Sequence, residues 1–165
     1  MRAGHFLSLE QLASEAESAV SDLLSDEEWE DFQARPSLAK IQWRYCHADC
    51  DELAEAVAAI TGWPVVSVAS PSDGPLHRLV ESPDGRLLDI MGWTSLPLLE
   101  QRYRLKGLTL HRGDSPFAML MASADTDGFF SACCTLLHLE GAPFDDSDFL
   151  NQVRIFLVEE FGCDC

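Results

Sequence analysis

Residues 49–62, with the sequence DCDELAEAVAAITG, decide the interpretation of this chain because they predict one capped helix that begins at a cysteine. Asp49 is a good N-cap, and Glu52 stands where the return arm of a capping box belongs. Gly62 is a typical residue to end the helix. Cys50 then lies in the first turn, at the positive end of the helix dipole, which favours the nucleophilic thiolate.

Two predicted strands downstream, residues 76–81 and 86–90, carry His77 and Asp89. They flank a Ser-Pro-Asp-Gly sequence that suits a type I turn followed by a glycine in the left-handed region. With this three-residue loop, Leu79 faces Asp89, and His77 lies two residues further along the same face. Such diagonal neighbours are roughly 7–8 Å apart, so an imidazole can meet a carboxylate. A loop one residue shorter or longer would put the two side chains on opposite faces.

Composition and charge limit the possible functions. The 165 residues suit a single domain, and 47% hydrophobic with 24% charged residues is a globular composition. The net charge of −17 argues against nucleic-acid or membrane partners, because phosphate contacts need Lys and Arg. No apolar run reaches the ~20 residues of a transmembrane helix, and the start lacks signal-peptide features. We therefore expect a cytoplasmic protein with reduced cysteines.

The rest of the chain predicts helices around a small sheet. Capping boxes at Ser8 and Ser25 predict two N-terminal helices, and Asp145 or Asp146 is expected to cap a last helix that ends near Phe161. Further segments are a strand at 65–68, a possible short helix at 96–104, and apolar runs at 117–122 and 129–139 that fit either a strand or a buried helix. The order predicts an α+β fold.

The order Cys50, His77, Asp89 resembles the papain-like superfamily of thiol enzymes, and its small bacterial and transglutaminase-like members more than papain itself. The resemblance covers residues 42–93 and includes Gly-Trp-Pro at 62–64 and Pro-Asp-Gly-Arg at 83–86. It implies a nucleophile helix packed on an antiparallel sheet. It also divides the chain into a helical N-terminal extension (1–41), a catalytic core (42–93) and a mixed C-terminal part (94–165).

The resemblance implies a cysteine-dependent amide hydrolase or acyltransferase of the peptidase, amidase or deamidase type. Cys50 would be the nucleophile, His77 the base and Asp89 its orienting group. The substrate would be a peptide or another amide, and this chemistry needs no cofactor. Gln42, which precedes the cysteine much as a glutamine does in papain-like enzymes, is a candidate oxyanion donor, although Trp43 or Tyr45 would serve equally.

Two alternatives stay open at this point. Three carboxylates, Asp49, Asp51 and Glu52, surround Cys50 and would raise the pKa of its thiol, so the chain also fits an inactive relative. The strong negative charge fits a non-catalytic acidic protein, of inhibitor or immunity type, that binds a basic partner.

The other cysteines allow a metal interpretation as well. Cys46, His47 and Cys50 lie within five residues, but this spacing is not that of a zinc knuckle, and we predict no metal site. A terminal Cys-Asp-Cys sequence, residues 163–165, is expected to lie in a flexible tail.

Overall fold

The computed structural model describes residues 5–113 and 126–163, which form an α+β fold with helices on both faces of an antiparallel sheet. Within these residues the helices are α1 (Leu9–Val20), α2 (Asp26–Gln33), α3 (Ser37–His47), α4 (Cys50–Thr61), α5 (Leu96–Tyr103), α6 (Thr126–Thr135) and α7 (Ser147–Phe161). The strands are β1 (Val65–Ser70), β2 (Gly74–Glu81), β3 (Leu87–Asp89), β4 (Gly92–Thr94) and β5 (Thr109–His111), in the spatial order β4-β3-β2-β1-β5. The predicted α+β class is confirmed.

Local sequence signals place most of the helices correctly. Ser8 and Ser25 each form the predicted capping box, with α1 and α2 directly behind them. Of the two candidate caps for α7, the structure uses Asp146, whose side chain accepts the backbone N–H groups of Asp148 and Phe149. These ends follow the sequence because a cap satisfies backbone donors within one turn, without help from distant residues.

For the segments whose sequence pattern was ambiguous, only the tertiary structure shows which secondary structure they adopt. The ambiguous segment around residues 96–104 is the helix α5, and much of the apolar run at 129–139 belongs to α6. The run at 117–122 lies outside the described residues. Strands β4 and β5 were not predicted, because three residues are too few to show an alternating pattern. None of the described helices has the length and apolarity required to cross a membrane.

Both faces of the sheet are covered by helices. On one face Val80 and Leu88 belong to the main core cluster, together with Leu53 and Val57 of α4. On the other face Leu79 and Leu87 pack in a second cluster with Leu99 of α5 and valines of β1. Because side chains alternate along a strand, His77 and Asp89 share the α5 face with Leu79 and Leu87.

The β2–β3 hairpin has the predicted register. Val80 pairs with Leu88, and Glu81 pairs with Leu87. The loop is closed by the Ser82 N–H, which donates to the Arg86 carbonyl at 2.8 Å, and Gly85 has the required left-handed conformation at φ +83°. The predicted three-residue loop is therefore confirmed.

The C-terminal cysteine prediction is wrong for Cys163. This residue is 3% exposed and belongs to the main core cluster, together with Cys133 and Cys134. It is buried because α7 ends at Phe161 against the same core, so the chain directly after the helix stays packed. Cys165 lies outside the described residues.

Candidate active site

The helix α4 begins at Cys50, as predicted, but its predicted capping box does not form. Asp49 makes no cap through its side chain. Its carboxylate instead accepts the Nε–H of Arg44 at 2.7 Å, and Glu52 lies 3.5 Å from the same guanidinium. Arg44 is buried, with only 9% of its side chain exposed, so its charge needs partners. The other end of α4 agrees with the sequence, since Gly62 closes it at φ +77°.

Arg44 changes the electrostatic setting of Cys50. Two of the three carboxylates that surround this cysteine, Asp49 and Glu52, are paired with the guanidinium. The third, Asp51, lines the same pocket as Cys50 and accepts the Glu52 backbone N–H at 3.1 Å. The single positive charge of Arg44 therefore offsets only part of the negative charge of the three carboxylates around Cys50.

His77 and Asp89 meet as the hairpin register predicts. The Nε2 atom of His77 lies 3.0 Å from Oδ2 of Asp89, and the two residues are 2% and 4% exposed. Burial disfavours a charged imidazole, but the Asp89 carboxylate and Cys50 outweigh it and raise the pKa of His77 to about 8. The ring is thus held in one orientation by a carboxylate, as in a catalytic triad.

Cys50 and His77 line one pocket of about 180 Å³. The Nδ1 atom of His77 is buried and has no hydrogen-bond partner, while Nε2 is held by Asp89. Nδ1 is therefore the ring nitrogen that Asp89 does not engage. Cys50 is half-buried, whereas Cys46, Cys133, Cys134 and Cys163, the other cysteines in the described part of the chain, are buried.

The short strand β3 explains how Cys50 comes close to His77. The ladder between β2 and β3 covers only Val80 and Glu81 of β2. Towards its N-terminus β2 therefore lacks β3 as a neighbour, and the beginning of α4 lies there, with a pocket between Cys50 and residues 75–78. The helix α4 packs on one face of the sheet, and His77 lies on the other face. The start of α4 can thus approach His77 at the part of β2 that β3 does not cover.

Arg102 is a site residue that sequence reasoning missed. Its Nη1 donates to Oδ2 of Asp89 at 2.6 Å, the same oxygen that binds His77. The other oxygen of Asp89 accepts the Met91 N–H at 2.9 Å. Burial alone would raise the pKa of Asp89, but His77 and Arg102 outweigh it and lower this pKa. The only signal in the sequence was a basic residue in the last turn of α5, which is common at helix ends.

A line of rings fixes the end of α3 against α5. The hydroxyl of Tyr103 donates to the Cys46 carbonyl at 2.7 Å. The Tyr103 ring lies 5.6 Å from His77 and 5.7 Å from His47, and His47 lies 4.6 Å from Trp43, measured between ring centroids. These contacts hold the α3–α4 junction next to the His77–Asp89 pair.

The structure does not bring Gln42 to the pocket. This residue is half-buried in the middle of α3, one turn before Cys46, and is not among the residues that line the pocket. Tyr45 is buried in the core, and Trp43 packs on His47. The backbone N–H of Cys50, at the start of α4, has no backbone acceptor among the described residues.

Cys46, which had suggested a metal site, is engaged otherwise. Its buried thiol accepts a hydrogen bond from Arg102 at 3.8 Å, and burial raises its pKa. In the described parts of the chain, no group of three or more His, Cys, Asp or Glu side chains is arranged to hold a metal ion.

Comparison with known proteins finds no matching family model, no matching curated protein and no matching solved structure.

Proposed function

We propose that this protein is a cysteine-dependent amide hydrolase or acyltransferase with Cys50 as nucleophile, His77 as base and Asp89 as orienting residue. The observation that carries the proposal is the arrangement around His77. One ring nitrogen is held by Asp89 at 3.0 Å, and the other lacks a partner in a pocket that Cys50 also lines. A buried imidazole with this division of roles suits proton transfer to and from a thiol.

The reaction follows from these roles. His77 takes the thiol proton, and the Cys50 thiolate attacks the carbonyl carbon of the amide to form a C–S bond. The C–N bond then breaks, and the imidazolium gives its proton to the leaving amine. Water, or a second amine or alcohol, attacks the resulting thioester and releases the acyl group from the cysteine. The Cys50 N–H would stabilise the oxyanion of each tetrahedral intermediate.

The arrangement of elements supports the papain-like or transglutaminase-like interpretation of residues 42–93. The helix that begins at Cys50 packs on an antiparallel sheet, and neighbouring strands of this sheet carry His77 and Asp89. This is the arrangement that the resemblance implied.

Selective alkylation of Cys50 tests the proposal without a known substrate. In a Cys165→Ser background, the rate of Cys50 modification by iodoacetamide is measured at pH 5 to 9 by peptide mass spectrometry. A thiolate paired with the His77 imidazolium should keep reacting below pH 7, where a free thiol with a pKa of roughly 8.5 does not. The buried cysteines serve as internal references for unfolding.

The effect of replacing His77 on the alkylation rate of Cys50 decides whether the two residues act as a pair. His77→Ala should remove the reactivity below pH 7, whereas His111→Ala, at an exposed histidine of β5, should leave it unchanged. If His77→Ala does not fold, Asp89→Asn replaces it, and a weaker ion pair should shift the profile towards higher pH. A Cys50 that reacts like a free cysteine throughout would refute the catalytic assignment.

A non-catalytic binding function has one observation in its favour. The net charge is −17, and the exposed first turn of α2 carries Asp26, Glu27 and Glu28 side by side. A binding protein of this kind predicts a salt-sensitive complex with a basic protein that survives Cys50→Ala.

A further inference from the structure

The pocket at Cys50 is lined by a buried arginine, two of whose guanidinium nitrogens have no hydrogen-bond partner. Arg78 lines this pocket together with Cys50 and His77, and only 7% of its side chain is exposed. Its Nε and Nη1 atoms are buried without any hydrogen-bond partner. A guanidinium normally directs five N–H groups to acceptors, so two unpaired nitrogens are costly in the free protein.

The nearest charged partner of Arg78, Glu55, does not supply acceptors for the unpaired N–H groups of the guanidinium. Oε1 of Glu55 on α4 lies 3.6 Å from Nη2, which is beyond hydrogen-bond distance. Asp51 also lines the pocket, but its Oδ1 accepts the Glu52 backbone N–H. The pocket walls are otherwise contributed by Ala48, Pro75 and Leu76. The guanidinium is thus buried, its residue lines the same pocket as Cys50, and its Nε and Nη1 groups have no acceptor among the described residues.

We propose that Arg78 binds a carboxylate of the acyl substrate, so that the protein acts on amides that carry an anionic group close to the scissile carbonyl. A small rotation of the guanidinium towards the pocket would let a carboxylate accept two parallel N–H bonds, the geometry that arginine favours. The pocket of about 180 Å³ holds a group of amino-acid size. The inference rests on the proposed function, because it takes Cys50 as the attacking group.

The overall negative charge does not oppose such a ligand at contact distance. Exposed carboxylates act through solvent and are screened beyond about 8 Å at physiological ionic strength. Two opposite charges line the pocket itself, the carboxylate of Asp51 and the buried guanidinium of Arg78, and it is the guanidinium that attracts an anionic ligand.

Two reagents of nearly equal size test the role of Arg78. Iodoacetate is an anion and iodoacetamide is neutral, and both alkylate Cys50 by the same displacement of iodide. The rate of Cys50 alkylation by iodoacetate is divided by the rate with iodoacetamide, and this ratio is divided by the same ratio for N-acetylcysteine. The result measures the preference of the pocket for an anion. Arg78→Met should lower this ratio at least about tenfold, because hydrogen bonds to charged groups are worth this much. Arg112→Met, at an arginine with 63% of its side chain exposed, is the matched control and should leave the ratio unchanged.

The variant Glu55→Gln tests the role of Arg78 independently, because it leaves the buried arginine in place. It removes the only carboxylate paired with Arg78 in the described residues, so the preference for iodoacetate should rise. If Arg78→Met fails to fold, this variant carries the test. A ratio that stays unchanged in Glu55→Gln and in any folded Arg78→Met protein would overturn the assignment of Arg78.

Protection experiments separate the two sources of a carboxylate. Cys50 alkylation by iodoacetamide is measured with N-acetylglycine, which has a terminal carboxylate, with N-acetylaspartate amide, which has a side-chain carboxylate, and with neutral N-acetylglycinamide. Arg78-dependent protection by either acid supports the inference and identifies the source, whereas equal protection by all three contradicts it. The proposed function fails separately, when iodoacetamide reactivity does not depend on His77.

Discussion

His77 and Asp89 are diagonal neighbours across the β2–β3 hairpin, and their side chains meet at 3.0 Å although they lie twelve positions apart in the chain. The pair is buried on the α5 face of the sheet, where Arg102 binds the same oxygen of Asp89 at 2.6 Å. The charge state of this group therefore contributes to the stability of the fold.

The raised pKa of His77 predicts a loss of stability in mildly alkaline solution. The pKa rises from 6.5 to about 8 on folding, so protonation stabilises the native state fully below pH 6.5, and this contribution disappears as the pH passes 8. The free energy of unfolding from urea titrations should fall by about 2 kcal/mol across this window. His77→Asn should lack this fall, and His111→Ala should retain it. A direct NMR titration of the His77 ring that gave a pKa below 6.5 would contradict the prediction.

Asp89→Asn should weaken the site and the fold together. The substitution keeps the shape but removes the charge that holds His77 and Arg102, so the pKa of His77 should decrease. The free energy of unfolding at pH 7 should fall by about 3 kcal/mol, the usual cost of breaking a buried ion pair. The control is Asp31→Asn, at an exposed residue of α2. A His77 pKa equal to that of the unsubstituted protein would show that Asp89 does not set it.

Arg102→Met should change the pKa values of its neighbours in a definite direction. Burial lowers the pKa of His47 most, and the charge of Arg102 lowers it further. Arg102 also helps to keep the pKa of Asp89 low. In the variant, NMR titration should show both pKa values raised. Asp89 stabilises the fold above pH 3.8 and loses this contribution as the pH falls through its lowered pKa, so the variant should lose less stability in acid. Arg104→Met, at an exposed arginine two residues away, is the matched control, and a similar effect of both variants would argue against a specific role of Arg102.

Arg104→Gly should stabilise the protein. Arg104 ends α5 with a left-handed backbone at φ 56°, the only non-glycine residue with positive φ in the described ranges 5–113 and 126–163. Glycine adopts this conformation without strain, and the expected gain in the free energy of unfolding is about 1 kcal/mol. Gly62→Ala, at φ +77° with open space around the position of a Cβ atom, should cost a similar amount. Urea titrations of both variants measure the pair of effects, and a destabilised Arg104→Gly would refute the argument.

Local rules were enough to predict the frame of the site. The turn sequence at 82–85 set the register of β2 and β3, and this register set the meeting of His77 with Asp89. The end of α4 at Gly62 also followed from a local signal, whereas its start at Cys50 was predicted from a capping box that does not form. Helix ends and tight turns depend on backbone hydrogen bonds between near neighbours, so the chain itself determines them.

Only the tertiary structure decided what surrounds this frame. The pairing of Arg44 with Asp49 cancelled the predicted cap, and Arg102 reached Asp89 from α5. Arg78 of β2 came to line the same pocket as Cys50, the first residue of α4. Contacts of long charged side chains depend on how whole elements pack and on which charges are buried together, and no local pattern in the sequence records this information.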